Sequence, residues 1–490
     1  MKNKKVYNLF ACAIFAMHLS AQVVNVNPDP NGEPFIGGDG IITPPEIEAT
    51  VPFMALRPES AAAELPTVVD NSQLIYMPPV FNQRNSGSCV QVAELWYSFG
   101  YEVNRLRGVQ AGNGIDDLTN LYHPFYSYNF LNGGNGQSET FYKSGFMILK
   151  DNGCPSYEVY VDPAIDWSNP SKYLYWMNSY NNYLSGMQNK ISGYENITWG
   201  NSYESIGLLK HWIADHNLGE DNGGLAIISV YVNGWTIHNT FPPGTSEAGK
   251  HYVSQWGSSG GHALTIVGYN DEVECFDING DGVFTNEDFD NNGVIELSEC
   301  EKGAFKVVNS WNPNTFGDAG YIYIPYKLMA SGLQINKRAY ICHVQNAQEP
   351  SLTIKASVEY PERNKLGFKV GYAQNANQTE PINSTFYKSF KYQGGANQMR
   401  GAYSGPIEVG LDFGHWYQNE DVGKIFFIVD ENENGIPTNG LIKNFSIIDH
   451  RWGEEFELAC AEIDVPIANN TQTTLSVDYD LIVPGDNSPY

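Results

Sequence analysis

The sequence predicts an α+β region followed by an all-β domain. Apolar residues recur at steps of three and four after Cys89, and Gly108 stands where such a helix would stop. Short apolar runs typical of buried strands follow at residues 226–232 and 262–269. Beyond about residue 349, alternating apolar runs separated by turn residues at roughly even spacing indicate a β-sandwich.

The length of 490 residues is too great for one hydrophobic core and predicts two or three domains. Residues 1–21 have the pattern of a signal peptide: lysines at the start, an apolar stretch, and a small residue at the cut. Residues 22–64 are rich in proline and have no sustained period, which indicates a pro-segment or linker. We expect a catalytic domain at 65–348, a β-sandwich accessory domain at 349–490, and an exported protein that is extracellular, at the cell surface or periplasmic.

The chain is strongly acidic, with 28 Lys and Arg against 55 Asp and Glu and a formal net charge of −27 at pH 7. This balance argues against nucleic acid or an anionic membrane as a partner and fits a protein that holds cations. No later stretch reaches the roughly 18 apolar residues of a membrane-spanning helix. We therefore expect no nucleic-acid partner and no membrane span.

Six of the seven cysteines remain once the signal peptide is removed, and an even number in an exported chain permits disulfides. Cys275 and Cys300 bracket one insertion and are the best candidates for a pair. Cys89 is the cysteine that we expect to be free.

Cys89 is a candidate nucleophile because the first turn of a helix has unpaired N–H groups and a positive dipole end, which favour the thiolate. A thiolate nucleophile needs an imidazole, and the imidazole needs an acceptor that fixes its tautomer. His262 follows the glycine-rich stretch 257–261 and begins a buried strand. Asn309 follows another strand and precedes Trp311, whose indole could keep water away from a His–Asn bond. Taken singly, each residue also fits a purely structural role.

Four residues stand in the order typical of the papain-like cysteine peptidase family: Gln83, Cys89, His262 and Asn309. Three stretches resemble the nucleophile, histidine and asparagine segments of that family: 79–89, 262–269 and 309–322. The resemblance covers about residues 65–345. It implies a two-lobed papain-like fold in which a helical lobe faces a β-barrel-like lobe across a cleft.

The resemblance also implies a role for each residue in the hydrolysis of polypeptides. Cys89 would attack the peptide carbonyl, His262 would pass the proton to the leaving amine, and Asn309, shielded by Trp311, would orient His262. The side-chain amide of Gln83 and the backbone N–H of Cys89 would form the oxyanion hole. The expected path is a thioester acyl-enzyme that water cleaves, with no organic cofactor.

The chain departs from the family at four positions near these motifs. Ser86 replaces a cysteine that usually forms a disulfide, and Val90 replaces a tryptophan. Asn312 replaces a common glycine, and Phe316 replaces a tryptophan of the cleft wall. These changes leave subsite preference and rate open. Two alternatives also remain: a catalytically silent protein that binds ligands in the cleft or sandwich, and an acyl-transferase or ligase on the same scaffold.

The insertion at 275–300 resembles two EF-hand- or dockerin-type calcium loops, which have oxygen ligands at positions one, three, five and nine and a carboxylate at position twelve. The candidate ligands of the first loop are Asp277, Asn279, Asp281 and Asp288. Those of the second are Asp288, Asp290, Asn292, Glu296 and Glu299. Because Asp288 ends the first loop and begins the second, two full sites would compete for it. We expect structural Ca²⁺, with a metal-free acidic turn as the alternative.

Overall fold

The computed structural model describes residues 50–58, 64–160, 169–331, 335–414, 422–432, 439–451 and 455–479, together with the backbone of Val23–Val24. The predicted signal peptide, 1–21, lies outside these residues. The described chain is mixed α/β with several sheets and few helices, which is consistent with a papain-like fold.

The longest helix of the described residues, α1, runs over residues 89–107 as three consecutive segments: Cys89–Gln91, the π-helical Val92–Phe99, and Gly100–Arg107. It ends at Gly108 in the left-handed conformation, as the sequence predicts. The other α-helices are α2 (Phe125–Leu131), α3 (Tyr142–Asp151), α4 (Tyr157–Tyr160), α5 (Tyr180–Met187) and α6 (Gly207–Asp215). Short 3₁₀ turns occur at Asn71–Gln73, Pro170–Tyr173, Tyr203–Ile206, Leu297–Glu299, Tyr326–Ala330 and Arg363–Lys365.

The strands before residue 349 are β1 (Val23–Val24), β2 (Val68–Asp70), β3 (Val80–Phe81), β4 (Ile191–Thr198), β5 (Ala226–Tyr231), β6 (Asn239–Thr240), β7 (His251–Tyr252), β8 (Gly261–Glu274), β9 (Lys302–Val308), β10 (Tyr321–Pro325) and β11 (Arg338–Val344). Nine of them form one sheet in the order β4-β11-β5-β8-β9-β10-β7-β6, with β2 paired to β8. Strands β1 and β3 form a separate parallel pair.

Strands β8 and β9 position two of the predicted site residues. They run antiparallel, with Thr265 opposite Val308. His262 lies at the start of β8 and Asn309 directly follows β9. The two side chains therefore come to the same edge of the sheet.

The later strands are β12 (Leu352–Glu359), β13 (Leu366–Ala373), β14 (Asn383–Lys391), β15 (Ile407–Asp412), β16 (Lys424–Glu431), β17 (Leu441–Asp449), β18 (Phe456–Ala459), β19 (Val465–Pro466) and β20 (Gln472–Asp478). They form two antiparallel sheets: β15-β12-β17-β18 with β19 on β17, and β14-β13-β16-β20. The rings of Phe427 and Phe445, one from each sheet, lie 5.7 Å apart.

The terminal sheets share a hydrophobic core with the helices that precede them. One buried cluster contains Phe130 of α2, Trp176, Phe390 of β14 and Phe427 of β16. The rings of Phe130 and Phe390 lie 5.4 Å apart, and those of Trp176 and Phe390 lie 5.6 Å apart. The terminal sheets are therefore packed against the preceding helices through apolar side chains.

Part of the predicted pro-segment is docked on strand β4. The backbone of Asn196 bonds to Pro52 and Met54, and its side-chain amide donates to the carbonyl of Val51 at 3.1 Å. Residues 51–54 thus lie alongside β4 and are bonded to it at Asn196.

The expected Cys275–Cys300 disulfide is wrong: both thiols are free, as are the other four cysteines of the described chain. The two thiols face different acceptors, because Cys275 Sγ lies 3.7 Å from the carbonyl oxygen of Val273 whereas Cys300 Sγ lies 3.5 Å from that of Glu296. Positions that bracket an insertion need not have side chains that point at each other.

Within the residues described above, no helix is both long enough and apolar enough to cross a membrane.

Candidate active site

Cys89 is the first residue of α1 and is 1% exposed. Backbone N–H groups in the first turn of a helix have no helical acceptor, so donors surround the start of α1. The N–H of Ala263, the residue after His262, also reaches the thiol. The start of α1 therefore meets the start of β8.

His262 and Asn309 form a buried pair. His262 Nε2 lies 2.7 Å from Asn309 Oδ1, and both residues are fully buried. The second ring nitrogen, Nδ1, is buried and has no hydrogen-bond partner within the described chain. Asn309 thus engages one nitrogen and leaves the other available to Cys89 or a substrate.

Aromatic rings cover this pair. The Trp311 ring lies 4.6 Å from the His262 ring at an interplanar angle of 31°. Phe316 and Trp235 pack edge-on against Trp311 at 5.4 and 5.7 Å. Trp311 is placed where the sequence expects it, whereas Trp235 gave no signal because it comes from the separate loop after β5.

The side-chain amide of Gln83 is held at both ends. Its Nε2 donates to the carbonyl of Ser86 at 2.8 Å, and its Oε1 accepts a short hydrogen bond from the hydroxyl of Ser310. The backbone N–H of Gln83 also donates to the Ser310 carbonyl at 2.8 Å. One amide hydrogen of Gln83 remains for another acceptor.

Tyr97 is a further residue of the site that the motifs did not indicate. Its hydroxyl donates to the carbonyl of Asn309 at 2.9 Å and accepts from the N–H of Phe81 at 2.9 Å. This side chain of α1 therefore ties the asparagine loop to the segment that leads to Gln83. Tyr97 and Asn309 are 212 residues apart in sequence, so no local pattern could reveal the contact.

The buried environment favours the neutral forms of the Cys89 thiol and the His262 imidazole. Burial raises the pKa of the Cys89 thiol to about 12, although the N–H groups of Ala263 and Val90 act in the opposite direction. Burial lowers the pKa of the His262 imidazole to about 4, although the bond to Asn309 acts in the opposite direction. At neutral pH the pair is a thiol and an imidazole in this arrangement.

Because the thiol pKa is raised, the thiolate fraction should grow as pH rises. We expect the rate of Cys89 alkylation by iodoacetamide to increase about tenfold per pH unit between about pH 6 and 9, since only the thiolate reacts. Intact-protein mass spectrometry of the full chain measures the rate, with Cys89→Ala as the background. A rate that stays flat over this range would instead indicate a thiolate–imidazolium pair at rest.

The second predicted calcium loop gathers carboxylates. Asp288, Asp290 and Glu299 each offer an oxygen, and these oxygens all lie within 4.8 Å of one another. The Glu299 carboxylate accepts from the N–H groups of Phe289, Asp290 and Glu296 at 2.9, 3.2 and 2.9 Å. Oxygen ligands from one loop, held in this way, fit Ca²⁺.

The side chains at positions one, three and five of both loops accept from their own backbone. In the first loop Asp277 accepts from the N–H of Gly280 at 2.7 Å, and Asn279 Oδ1 accepts from that of Asp281 at 3.0 Å. In the second loop the N–H of Asn292 donates to Asp288 and to Asp290 at 3.0 Å each. The two loops are thus folded in a similar way.

Glu301 contacts the first loop as Glu299 contacts the second. Its fully buried carboxylate accepts from the N–H groups of Ile278 and Asn279 at 2.7 and 3.4 Å through one oxygen, and from that of Thr285 at 2.9 Å through the other. These are the second, third and ninth loop positions, which Glu299 also contacts in its own loop. Glu301 lies beyond the twelve-residue loop pattern, so that pattern gives no signal for it.

No family model and no curated protein matches the sequence. Among solved structures, xylellain, a cysteine protease from Xylella fastidiosa, is 16% identical at a TM-score of 0.38, over 64% of this chain and 97% of that one. Procathepsin B S9 from Trypanosoma congolense is 13% identical at a TM-score of 0.38, over 64% and 87%. Bromelain protease from Ananas comosus, in complex with the E64 inhibitor, is 16% identical at a TM-score of 0.32, over 57% and 100%. At such low TM-scores these likenesses carry no conclusion about activity, so the interpretation of the site depends on its own side chains.

Proposed function

We propose that the protein is a cysteine endopeptidase of the papain type that hydrolyses polypeptides through Cys89, His262 and Asn309. The observation that carries the proposal is the buried His262–Asn309 bond of 2.7 Å, which leaves Nδ1 of the imidazole without a partner beside the helix that begins at Cys89. A purely structural histidine would be expected to use both ring nitrogens when fully buried.

In the proposed reaction, Cys89 Sγ attacks the carbonyl carbon of the scissile bond while its proton passes to His262 Nδ1. The oxyanion binds the N–H of Cys89 and the remaining amide hydrogen of Gln83. The tetrahedral adduct collapses, the C–N bond breaks, and the leaving amine takes the proton from His262. Water then gives a proton to His262 and attacks the thioester, which releases the carboxylic acid and returns the thiol.

The experiment that tests this function is digestion of a mixed peptide library by the full-length reduced protein, with product masses read by mass spectrometry. Hydrolysis predicts products whose masses sum to the substrate plus water. An acyl-transferase or ligase predicts amide products when a primary amine is added. A binding protein predicts intact peptides, even though peptides bind.

We also propose a two-lobed, papain-like catalytic domain at 65–348 and a terminal β-sandwich at 349–490. The strand orders and the contact between Phe427 and Phe445 support this division. Export is proposed from the signal-like pattern of residues 1–21.

We propose that the insertion binds two structural Ca²⁺ ions, with Glu301 in place of Asp288 as the carboxylate that closes the first loop. The matching contacts of Glu299 and Glu301 support this assignment. It removes the competition for Asp288, which then belongs to the second loop alone together with Asp290 and Glu299.

Removal of either closing carboxylate should abolish one calcium site. We expect isothermal titration of the calcium-free full-length protein to give two ions per chain, and one ion for Glu301→Gln or Glu299→Gln, because the neutral amide is a weaker ligand than a carboxylate. Glu272→Gln, a substitution of an exposed carboxylate paired with Lys302, is the matched control and should retain two ions. Two ions in Glu301→Gln would return the role to Asp288, and no binding by the wild type would leave the acidic turn as the correct interpretation.

A further inference from the structure

An open cavity of about 550 Å³ lies beside the loop that precedes Cys89. It is lined by Asn85 of that loop, by residues 134–137 and 169–171, and by Tyr173 and Leu174. None of these lining residues is charged. The cavity is thus suited to an uncharged, hydrogen-bonding stretch of extended polypeptide.

The wall of this cavity, residues 133–138, is in direct contact with the nucleophile loop. The N–H of Gly87 donates to the carbonyl of Gly136 at 2.8 Å. A Cβ at Gly87 would lie 2.5 Å from the carbonyl oxygen of Ser138, so the two backbones touch without room for a side chain. The Tyr128 hydroxyl lies within 2.9 Å of both carbonyl oxygens. The wall and the loop that leads into Cys89 are therefore packed backbone to backbone, so the position of the wall is defined next to the candidate nucleophile.

The loop at residues 394–401 of the terminal domain contacts the same wall from the other side. A Cβ at Gly395 would lie 2.0 Å from the carbonyl oxygen of Gly133. A Cβ at Gly134 would lie 2.5 Å from Nδ2 of Asn397. The approach of Gly395 is to a backbone carbonyl and leaves no room for a side chain, whereas that of Gly134 is to the side-chain amide of Asn397.

A buried cation fixes this loop in place. Arg363 is 1% exposed, its Nη1 donates to the carbonyl of Leu174 at 2.7 Å, and its Nε donates to that of Gly394 at 2.9 Å. Its guanidinium lies 4.1 Å from the ring centre of Trp176. The contact between the terminal domain and the wall is therefore anchored by a charged side chain whose burial would be costly without these partners.

We propose that the terminal domain positions the wall of this cavity through Gly395 and Asn397, so that an uncharged stretch of a polypeptide substrate binds productively beside Cys89. The inference rests on the proposed peptidase function and adds to it a positioning role for a domain that would otherwise be interpreted as a separate binding module. Gly395 and Asn397 are positioning residues, since they act through Gly133 and Gly134.

The test uses full-length protein with Gly395→Ala and a matched control, Gly405→Ala. Both glycines have positive φ, 72° and 91°, but only Gly395 has backbone atoms within van der Waals range of an added Cβ, since Gly405 has nothing within 4 Å. The rate constant kcat/KM is measured for a long, uncharged peptide and for a short acyl ester that does not reach the cavity. We expect Gly395→Ala to lower kcat/KM for the long peptide on the order of 10–100-fold, with the ester unaffected, because small misplacements of a bound substrate are costly.

Asn397→Ala provides a second variant that creates no clash. We expect it to raise KM for the long peptide and to leave kcat for the ester unchanged. Equal losses on both substrates, or no loss in either variant, would overturn the inference. The inference stands if the wild type cleaves both the ester and the peptide and the variants lose activity on the peptide alone. If the wild type cleaves neither substrate, the proposed peptidase function is wrong, and this inference is wrong with it.

Discussion

Replacement of Cys89 by alanine is expected to lower the rate of peptide hydrolysis on the order of 10⁴-fold or more, because the sulfur forms the covalent bond to the acyl group. The change removes one buried sulfur at the start of α1 and adds no volume, so the fold should persist. A fluorogenic peptide chosen from the library digestion reports kcat/KM for both proteins.

Cys154→Ala is the matched control for this substitution. Cys154 is also a fully buried free thiol, and burial raises its pKa well above the ordinary value. Its Sγ lies 3.3 Å from the carbonyl oxygen of Pro155, which has no role in the proposed reaction of Cys89 with His262 and Asn309. We expect its kcat/KM to match that of the wild type. Equal activity in Cys89→Ala and Cys154→Ala would exclude Cys89 as the nucleophile.

Replacement of Gln83 by alanine is expected to lower kcat on the order of 10²–10³-fold with little change in KM, the effect of removing one oxyanion donor. The donor acts on charge that develops only after attack, so substrate binding should be almost unaffected. Ser310→Ala removes the hydroxyl that holds Gln83 Oε1 and should cause a smaller loss of kcat. Stopped-flow or steady-state kinetics on the same peptide separate kcat from KM.

Two outcomes would contradict this role for Gln83. A rise in KM at constant kcat would assign the amide to ground-state binding. A loss in Ser310→Ala as large as that in Gln83→Ala would indicate that Ser310, whose carbonyl also accepts from the backbone of Gln83, shapes the loop more broadly.

Much of the fold around the site follows from local sequence patterns. Helical spacing after Cys89 and the glycine at 108 predict α1 and the position of its end. Apolar runs predict β8 and β9, and antiparallel pairing then brings His262 and Asn309 to one edge. These features depend on residues that are neighbours in sequence or on paired strands, so the spacing of apolar residues along the sequence is enough to predict them.

The features that sequence patterns miss depend on distant contacts or on side-chain direction. Tyr97 reaches the Asn309 loop across the fold, and Glu301 closes a loop from outside its twelve-residue pattern. Cys275 and Cys300 bracket an insertion, a common arrangement of disulfide pairs, yet both thiols are free and lie near different carbonyls. The packing of Gly395 on Gly133 joins segments that share no motif. None of these contacts leaves a periodic signal.

The most direct test of the account is a search for the acyl-enzyme. The full-length reduced protein is mixed with an activated acyl ester, quenched in acid, digested and analysed by mass spectrometry. We predict one acyl group, attached to Cys89 and to none of the other five thiols of the described chain, and its absence in Cys89→Ala. Turnover of the ester without a Cys89 adduct, or with the acyl group on another cysteine, would contradict the central claim that Cys89 is the nucleophile.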